Sequence, residues 1–273
     1  MRKTIIGVLA LAAVLCSSVA FGDQKTHGPV ALPVHSFEIG PEVAYMEYRE
    51  PGVMRQDGLM YGLKASYMYR DEVMFRIEGR SSYSEMDYKN SGEMNNLNNY
   101  VFEARGLIGY DIPLTRTSRV TPYIGFGYRW LYDDSGGHVS STGAYGYDRE
   151  SNYYYTPLGI ETYTDLGNGW SWGMTAEFDY FWEGRQYSYL SDASPVYYSD
   201  AGNKQNDGYG LRGSVRLQKK GDTVSFVFEP FVRYWEIDKS DYDYVLYGGV
   251  PNSAVYEPKN ETIEIGALFM VLF

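Results

Sequence analysis

Residues 170–182 read WSWGMTAEFDYFW. Taken alternately, Trp170, Trp172, Met174, Ala176, Phe178, Tyr180 and Trp182 share one face, and Ser171, Gly173, Thr175, Glu177 and Asp179 share the other. A period of two belongs to a β-strand. The same sorting appears in LMYGLKASYMY, residues 59–69, with Leu59, Tyr61, Leu63, Ala65, Tyr67 and Tyr69 opposite Gly62, Lys64 and Ser66. Carried along the chain, it predicts ten strands at about 36–49, 58–70, 73–87, 99–112, 120–132, 152–164, 170–189, 208–218, 223–236 and 261–273. Residues 70–72, 165–169 and 219–222 read as tight turns. The segments near 88–98, 133–151, 190–207 and 237–260 read as long polar loops rich in Gly, Asn, Asp, Ser and Tyr. Pro157 lies mid-strand, lacks a ladder donor, and is expected to mark a bulge.

The content of the two faces decides the solvent. The apolar face carries few charges, and its exceptions, Glu47 and Glu236, sit near loop ends. The polar face collects ten basic residues, Lys64, Arg70, Arg76, Arg80, Arg105, Arg129, Arg185, Arg212, Arg216 and Arg233. It also collects ten acidic ones, Glu38, Glu42, Glu78, Glu103, Glu161, Glu177, Asp179, Glu183, Glu229 and Glu264. A soluble barrel would have to hold Trp170, Trp172, Phe178, Tyr180 and Trp182 of one strand in its interior. The inverse, apolar-out and polar-in with aromatic girdles, places them against lipid. Only closed sheets span a bilayer, because every backbone donor and acceptor must be paired. The expectation is an all-β fold, a transmembrane antiparallel up-and-down β-barrel of about ten strands (range 8–12), with long extracellular loops and short periplasmic turns.

The ends of the chain give its address. Arg2 and Lys3, the apolar stretch 5–15 and the small residues Ser18, Ala20 and Gly22 form a secretory signal peptide over residues 1–22. Cys16 raises a lipoprotein reading, which Leu15 before it opposes. Removing 1–22 takes away the single cysteine and moves the formal charge from −11 to −13. Such a balance argues against nucleic acid as a partner. Residues 23–35 follow as a short periplasmic segment and 36–273 form the barrel.

The last strand, ETIEIGALFMVLF, aligns Ile263, Ile265, Ala267, Phe269, Val271 and Phe273 on one face and ends on an aromatic. It resembles the signal read by the outer-membrane assembly machinery, carried here by Phe269, Val271 and Phe273. TPYIGFGYRW (121–130) and PLGIE (157–161) are also similar to strands of the bacterial outer-membrane β-barrel superfamily. The resemblance implies architecture and location in a bacterial outer membrane after export, with lipid and the assembly machinery as partners, and no particular activity.

Candidate chemistry is sparse. Gly208-Tyr209-Gly210-Leu211-Arg212-Gly213 matches a dinucleotide fingerprint but lies inside a strand, where no helix N-terminus follows to hold phosphate. Ten strands invite comparison with the omptin proteases. His27 and His35 precede or open the first strand, His138 lies in a loop, and no Asp accompanies a rim histidine in that pattern. Glu177 and Asp179 form a carboxylate pair without a general-base histidine. The repeated Glu78-Gly79-Arg80 and Glu183-Gly184-Arg185 point instead to a luminal ion-pair network. The loops gather Tyr145, Tyr147, Tyr153, Tyr154, Tyr197, Tyr198, Tyr242, Tyr244 and Tyr247 with Asp133, Asp134, Asp148, Asp192, Asp200, Asp207, Asp241 and Asp243. That composition suits binding loops, and its acids lack the spacing of a calcium site. Asn260-Glu261-Thr262 is a glycosylation sequon without meaning in a bacterial envelope. The reading is a non-enzymatic barrel with a charge-paired, plugged lumen and contact loops, without metal or cofactor and with its extracellular ligand unknown. The alternatives are a narrow porin and, behind it, an omptin-like protease.

Overall fold

A computed structural model describes residues 34–194 and 198–273. The expected signal peptide, Cys16, His27, most of the 23–35 segment and Tyr197 lie outside the described residues. In chain order the strands are β1 (His35–Glu50), β2 (Met54–Asp71), β3 (Val73–Lys89), β4 (Met94–Tyr110), β5 (Ile112–Pro113), β6 (Ser118–Asp134), β7 (Arg149–Gly167) and β8 (Trp170–Ser188). They continue with β9 (Ala201–Gln205), β10 (Gly208–Lys220), β11 (Ser225–Ile237), β12 (Asp243–Tyr247), β13 (Val250–Val255) and β14 (Asn260–Leu272). Among the described residues one 3-10 turn, Leu190–Asp192, interrupts them.

Ten strands form the barrel, in the ring order β1-β2-β3-β4-β6-β7-β8-β10-β11-β14 and back to β1. Every neighbouring pair is antiparallel. Closure comes from Val43 facing Ala267 and Tyr45 facing Ile265 at the β1–β14 seam. No barrel edge is left to seek a partner.

Side chains alternate as the sequence predicts. Tyr61, Ile77, Phe126, Trp172, Tyr180, Phe228 and Phe269 are exposed on the outer wall, whereas Glu42, Arg80, Glu103, Arg129, Asp179 and Glu264 are buried inside. Charges reach the outer wall at the loop-side ends of strands, as in Glu47 with Arg55 and Glu236 with Lys259.

Two expectations about connections change. Strands β1 to β8, apart from the two-residue β5, run 16–19 residues, beyond the roughly 9–11 needed to cross a bilayer. They absorb what composition assigns to loops. Between β3 and β4 only residues 90–93 remain, with Asn90 (φ 89°) and Gly92 (φ 118°) making the reversal. The β11–β14 loop in turn folds its own hairpin, β12–β13, at the loop end.

The third change is a correction. Glu183 and Arg185 were expected in the lumen with Glu177 and Asp179. On β7 and β8, Tyr155 faces Phe181 but Tyr154 faces Glu183, so Trp182 is an extra residue, a β-bulge. One added residue exchanges the faces beyond it. Gly184, Gln186 and Ser188 therefore turn inward, and Arg185 turns outward, where Glu183 pairs with it at 2.9 Å and with Lys204 at 2.8 Å. Pro157 is not the irregular position; it faces Asp179 in register.

Candidate functional site

The lumen is crossed by side chains in three tiers. The middle tier starts from parity: Arg80 on β3, Glu103 on β4, Arg129 on β6, Glu177 and Asp179 on β8, Arg212 on β10, Arg233 on β11 and Glu264 on β14 all point inward. Arg80 donates to Glu42 (3.0 Å), Glu103 (2.7 Å) and Glu264 (2.9 Å). Arg233 takes the other side of the same acids, 2.8 Å to Glu42 and 3.0 Å to Glu264. Arg129, fully buried, donates to Glu264 at 3.0 Å. Arg212 bonds Glu103 at 3.0 Å and Asp179 at 2.7 Å, and Arg105 bonds Glu177 as well as Glu78 at 2.6 Å. Tyr123 donates to Glu177 at 2.7 Å, Tyr155 donates to Glu103, and Trp235 packs edge-on to Tyr155 at 4.9 Å.

Arg80–Glu103, Arg105–Glu78 and Arg233–Glu264 join register partners on neighbouring strands, whereas other contacts are chords across the barrel. β6 and β14 lie five strands apart in a ring of ten, so the Arg129–Glu264 contact spans a diameter. Each buried charge thus meets the counter-charge that a low-dielectric interior requires.

The turn-side tier is looser. Arg70 bonds Asp111 at 3.0 Å and also Glu161, which Arg76 reaches at 2.8 Å. Arg216 bridges Glu38 and Glu229 (3.3 Å to the latter), and Lys64 lies 3.5 Å from Glu78.

The loop-side tier forms a second diameter. Arg149 on β7 donates to Glu50 on β1 at 2.6 Å and to Asp133 at 3.0 Å, and stands 3.9 Å from Glu257. The Tyr48 hydroxyl is 3.2 Å from both Glu50 and Glu257. Gln56 donates to Asp133 at 2.8 Å. Burial, followed by the neighbouring Glu50 and only partly offset by Arg149, pushes the Glu257 carboxyl up to about 7.

Apart from Glu183 and Arg185, every residue expected in the charge network takes part in it. Several members were not foreseen: Tyr123, Tyr155 and Trp235 in the middle, Asp111 on the turn side, and Glu50, Gln56, Arg149 and Glu257 near the mouth. The aromatic ones were legible. Each has the same parity as the inward charge on its own strand, Arg129, Glu161 and Arg233 respectively, but an aromatic in a lipid-facing barrel is readily taken for a girdle residue.

The loop acids act mostly as staples. Asp148 accepts the Tyr132 hydroxyl (2.5 Å) and the Gly136 amide (2.7 Å), Asp192 the Asp148 amide, Asp200 Ser191, Asp241 the Lys204 amide (2.7 Å) and Asp243 the Gly202 amide (2.8 Å). Among the described residues no cluster suited to a metal ion exists. Tyr153, expected in a loop, is buried in the lumen on β7, whereas Tyr145, Tyr242 and Tyr244 stand exposed. The described histidines lie apart from Glu177 and Asp179: His35 bonds Tyr67 at the turn end and His138 sits in the loop after β6.

No curated protein sequence matches the chain. Among solved structures, the outer membrane protease OmpT of Escherichia coli superposes over 88% of this chain and 96% of its own, with a TM-score of 0.60 at 11% identity. At that identity the likeness is one of fold. The outer membrane protein OprG of Pseudomonas aeruginosa covers 88% and 96% with a TM-score of 0.37 at 11% identity. The Pseudomonas putida toluene transporter TodX covers 89% and 90% with a TM-score of 0.35 at 10% identity. Residues 8–187 match a family described as the outer membrane protein beta-barrel domain. With its closed ten-stranded, apolar-out ring, the chain belongs to that family.

Proposed function

We propose that the protein is a non-enzymatic barrel of the bacterial outer membrane whose lumen is plugged by its own side chains and whose loop end makes contacts through exposed tyrosines. The observation that carries the reading is the pair of diametric contacts, Arg129–Glu264 at mid-barrel and Arg149–Glu50 at the mouth. A solute would have to break a buried, charge-assisted pair at each level, which costs several kcal/mol per uncompensated charge. Export follows the signal peptide, and insertion uses the assembly machinery through Phe269, Val271 and Phe273. Phe269 and Phe273 are exposed on the outer wall, where such a partner has access.

Reconstitution in planar bilayers tests the plug. Purified protein is expected to give no steady single-channel current. A steady current would overturn the plug in favour of the narrow porin. Incubation with a peptide library is expected to yield no cleavage, because the Glu177 and Asp179 carboxylates are engaged by arginines and no described histidine accompanies them. A product lost on Glu177→Gln would restore the omptin-like alternative.

A further inference from the structure

Immediately on the turn side of the middle tier the lumen is not filled. A cavity of about 70 Å³ opens there, lined by six cationic and four acidic side chains. We propose that this cavity binds a small oxyanion of the phosphate class, entering from the turn end.

The argument begins with opposite walls. On one, Thr175 of β8 and Ser214 of β10 face each other in register and both line the cavity. Neither hydroxyl is engaged with another side chain among the described residues, so both can donate. On the other wall stands Lys64 of β2, a register partner of Arg80. Its ammonium has three donors and one ion-pair partner among the described residues, Glu78, at 3.5 Å. Glu78 is already held by Arg105 at 2.6 Å. Lys64, 16% exposed, therefore has donors to spare at the void.

The other cations shape the field. Arg76 and Arg233 line the cavity, yet Glu161, Glu42 and Glu264, which bind them, do not. With those carboxylates outside the lining, the six cations that line the void outnumber its four acids. A compact anion with several acceptor oxygens suits this set of donors, and charge-assisted bonds are the strong ones. A cation meets the opposite field. An organic substrate of drug size needs roughly 300 Å³ or more, so the volume restricts the occupant to something small. Because the proposed entry is from the turn side, the proposal does not depend on whether the lumen conducts.

Isothermal titration of the detergent-solubilised full-length protein with inorganic phosphate is the test, with sodium chloride at matched ionic strength as control. Saturable binding is expected, weakened at least tenfold by Lys64→Met and several-fold by Ser214→Ala. The second variant removes only one hydroxyl and so guards against a Lys64 variant that fails to fold. Sulfate is expected to compete and chloride is not. The absence of saturable binding at about 10 mM phosphate, tenfold above a millimolar Kd, would mean that the void holds only water and would overturn the proposal. So would binding that is unchanged in both folded variants.

Discussion

Arg129 and Glu264 meet at 3.0 Å, yet they are not equivalent. Glu264 is shared by Arg80, Arg129 and Arg233. Arg129 has that one acidic partner, and its Nε and Nη1 groups find none among the described residues. Removing the shared acid leaves three buried cations short of a counter-charge. Glu264→Gln is expected to cost about 3–5 kcal/mol in urea unfolding from detergent. Arg129→Met keeps the length, removes two unsatisfied donors, and leaves Glu264 with two arginines. It is expected to lie within about 1 kcal/mol of wild type or above it. Equal losses in the two variants would refute this ranking. Glu257 yields a second prediction. Its carboxyl lies in the β11–β14 loop against Glu50, Arg149 and Tyr48, and is pushed up to about 7 from an ordinary 4.5. A raised carboxyl favours the folded state fully below about pH 4.5, and this contribution fades as pH rises through 7. The effect is on the order of 3 kcal/mol of loop anchoring. Proteolysis of residues 238–259 should therefore speed up between pH 5 and pH 8, and Glu257→Gln should flatten that profile.

The hairpin β12–β13 is a two-stranded sheet of its own, and outside itself it touches mainly the segment around β9. Such hairpins are marginal alone, and no barrel strand depends on this one for a ladder. Replacing residues 243–255 by a short Gly-Ser linker is expected to leave detergent-resistant folding unchanged, as read by heat-modifiable gel mobility. Loss of the folded band would show that the hairpin supports the ring. The elements also show what was readable in the sequence. Alternation placed all ten barrel strands and the face of nearly every charge, because one-sided burial writes a period of two. It failed at β8 beyond Trp182, where one extra residue reverses the faces without any mark in composition. It failed again at β3–β4, where polar residues that suit a loop also suit strands standing above the membrane. The lumen tiers were legible as a set of charges. The pairing was not, because Arg129 and Glu264 are 135 residues apart and are joined only by closure of the ring.

Taken as a whole, the molecule separates two sources of stability. The ring is held by a closed backbone ladder whose neighbours are mostly adjacent in sequence, and lipid supports it from outside. A charge on that outer wall is costly; Leu63→Arg, at an exposed apolar position, is expected to lose roughly 2–4 kcal/mol if it sits near mid-bilayer. The lumen contacts act inside the ring, whose closure is carried by the β1–β14 backbone ladder. Cutting the chords should therefore open a path without dissolving the barrel. The decisive variant removes the middle diameter together with the aromatic pair beside it: Arg129→Ala, Glu264→Ala, Tyr155→Ala and Trp235→Ala. Removing Arg129 and Glu264 together avoids stranding either against the other, although Arg80 and Arg233 each lose one of their acids and keep Glu42. The mouth is opened in the same molecule by Arg149→Ala with Glu50→Ala, since that second diameter would otherwise remain closed. Folded protein of this kind should show discrete current steps in planar bilayers where the wild type shows none. Retained heat-modifiable mobility in the variant ties the current to the lumen and not to unfolded chain. Current of the same size in wild type and variant would mean that ions already pass around the paired side chains, and the luminal charges would then line a pore and not close one.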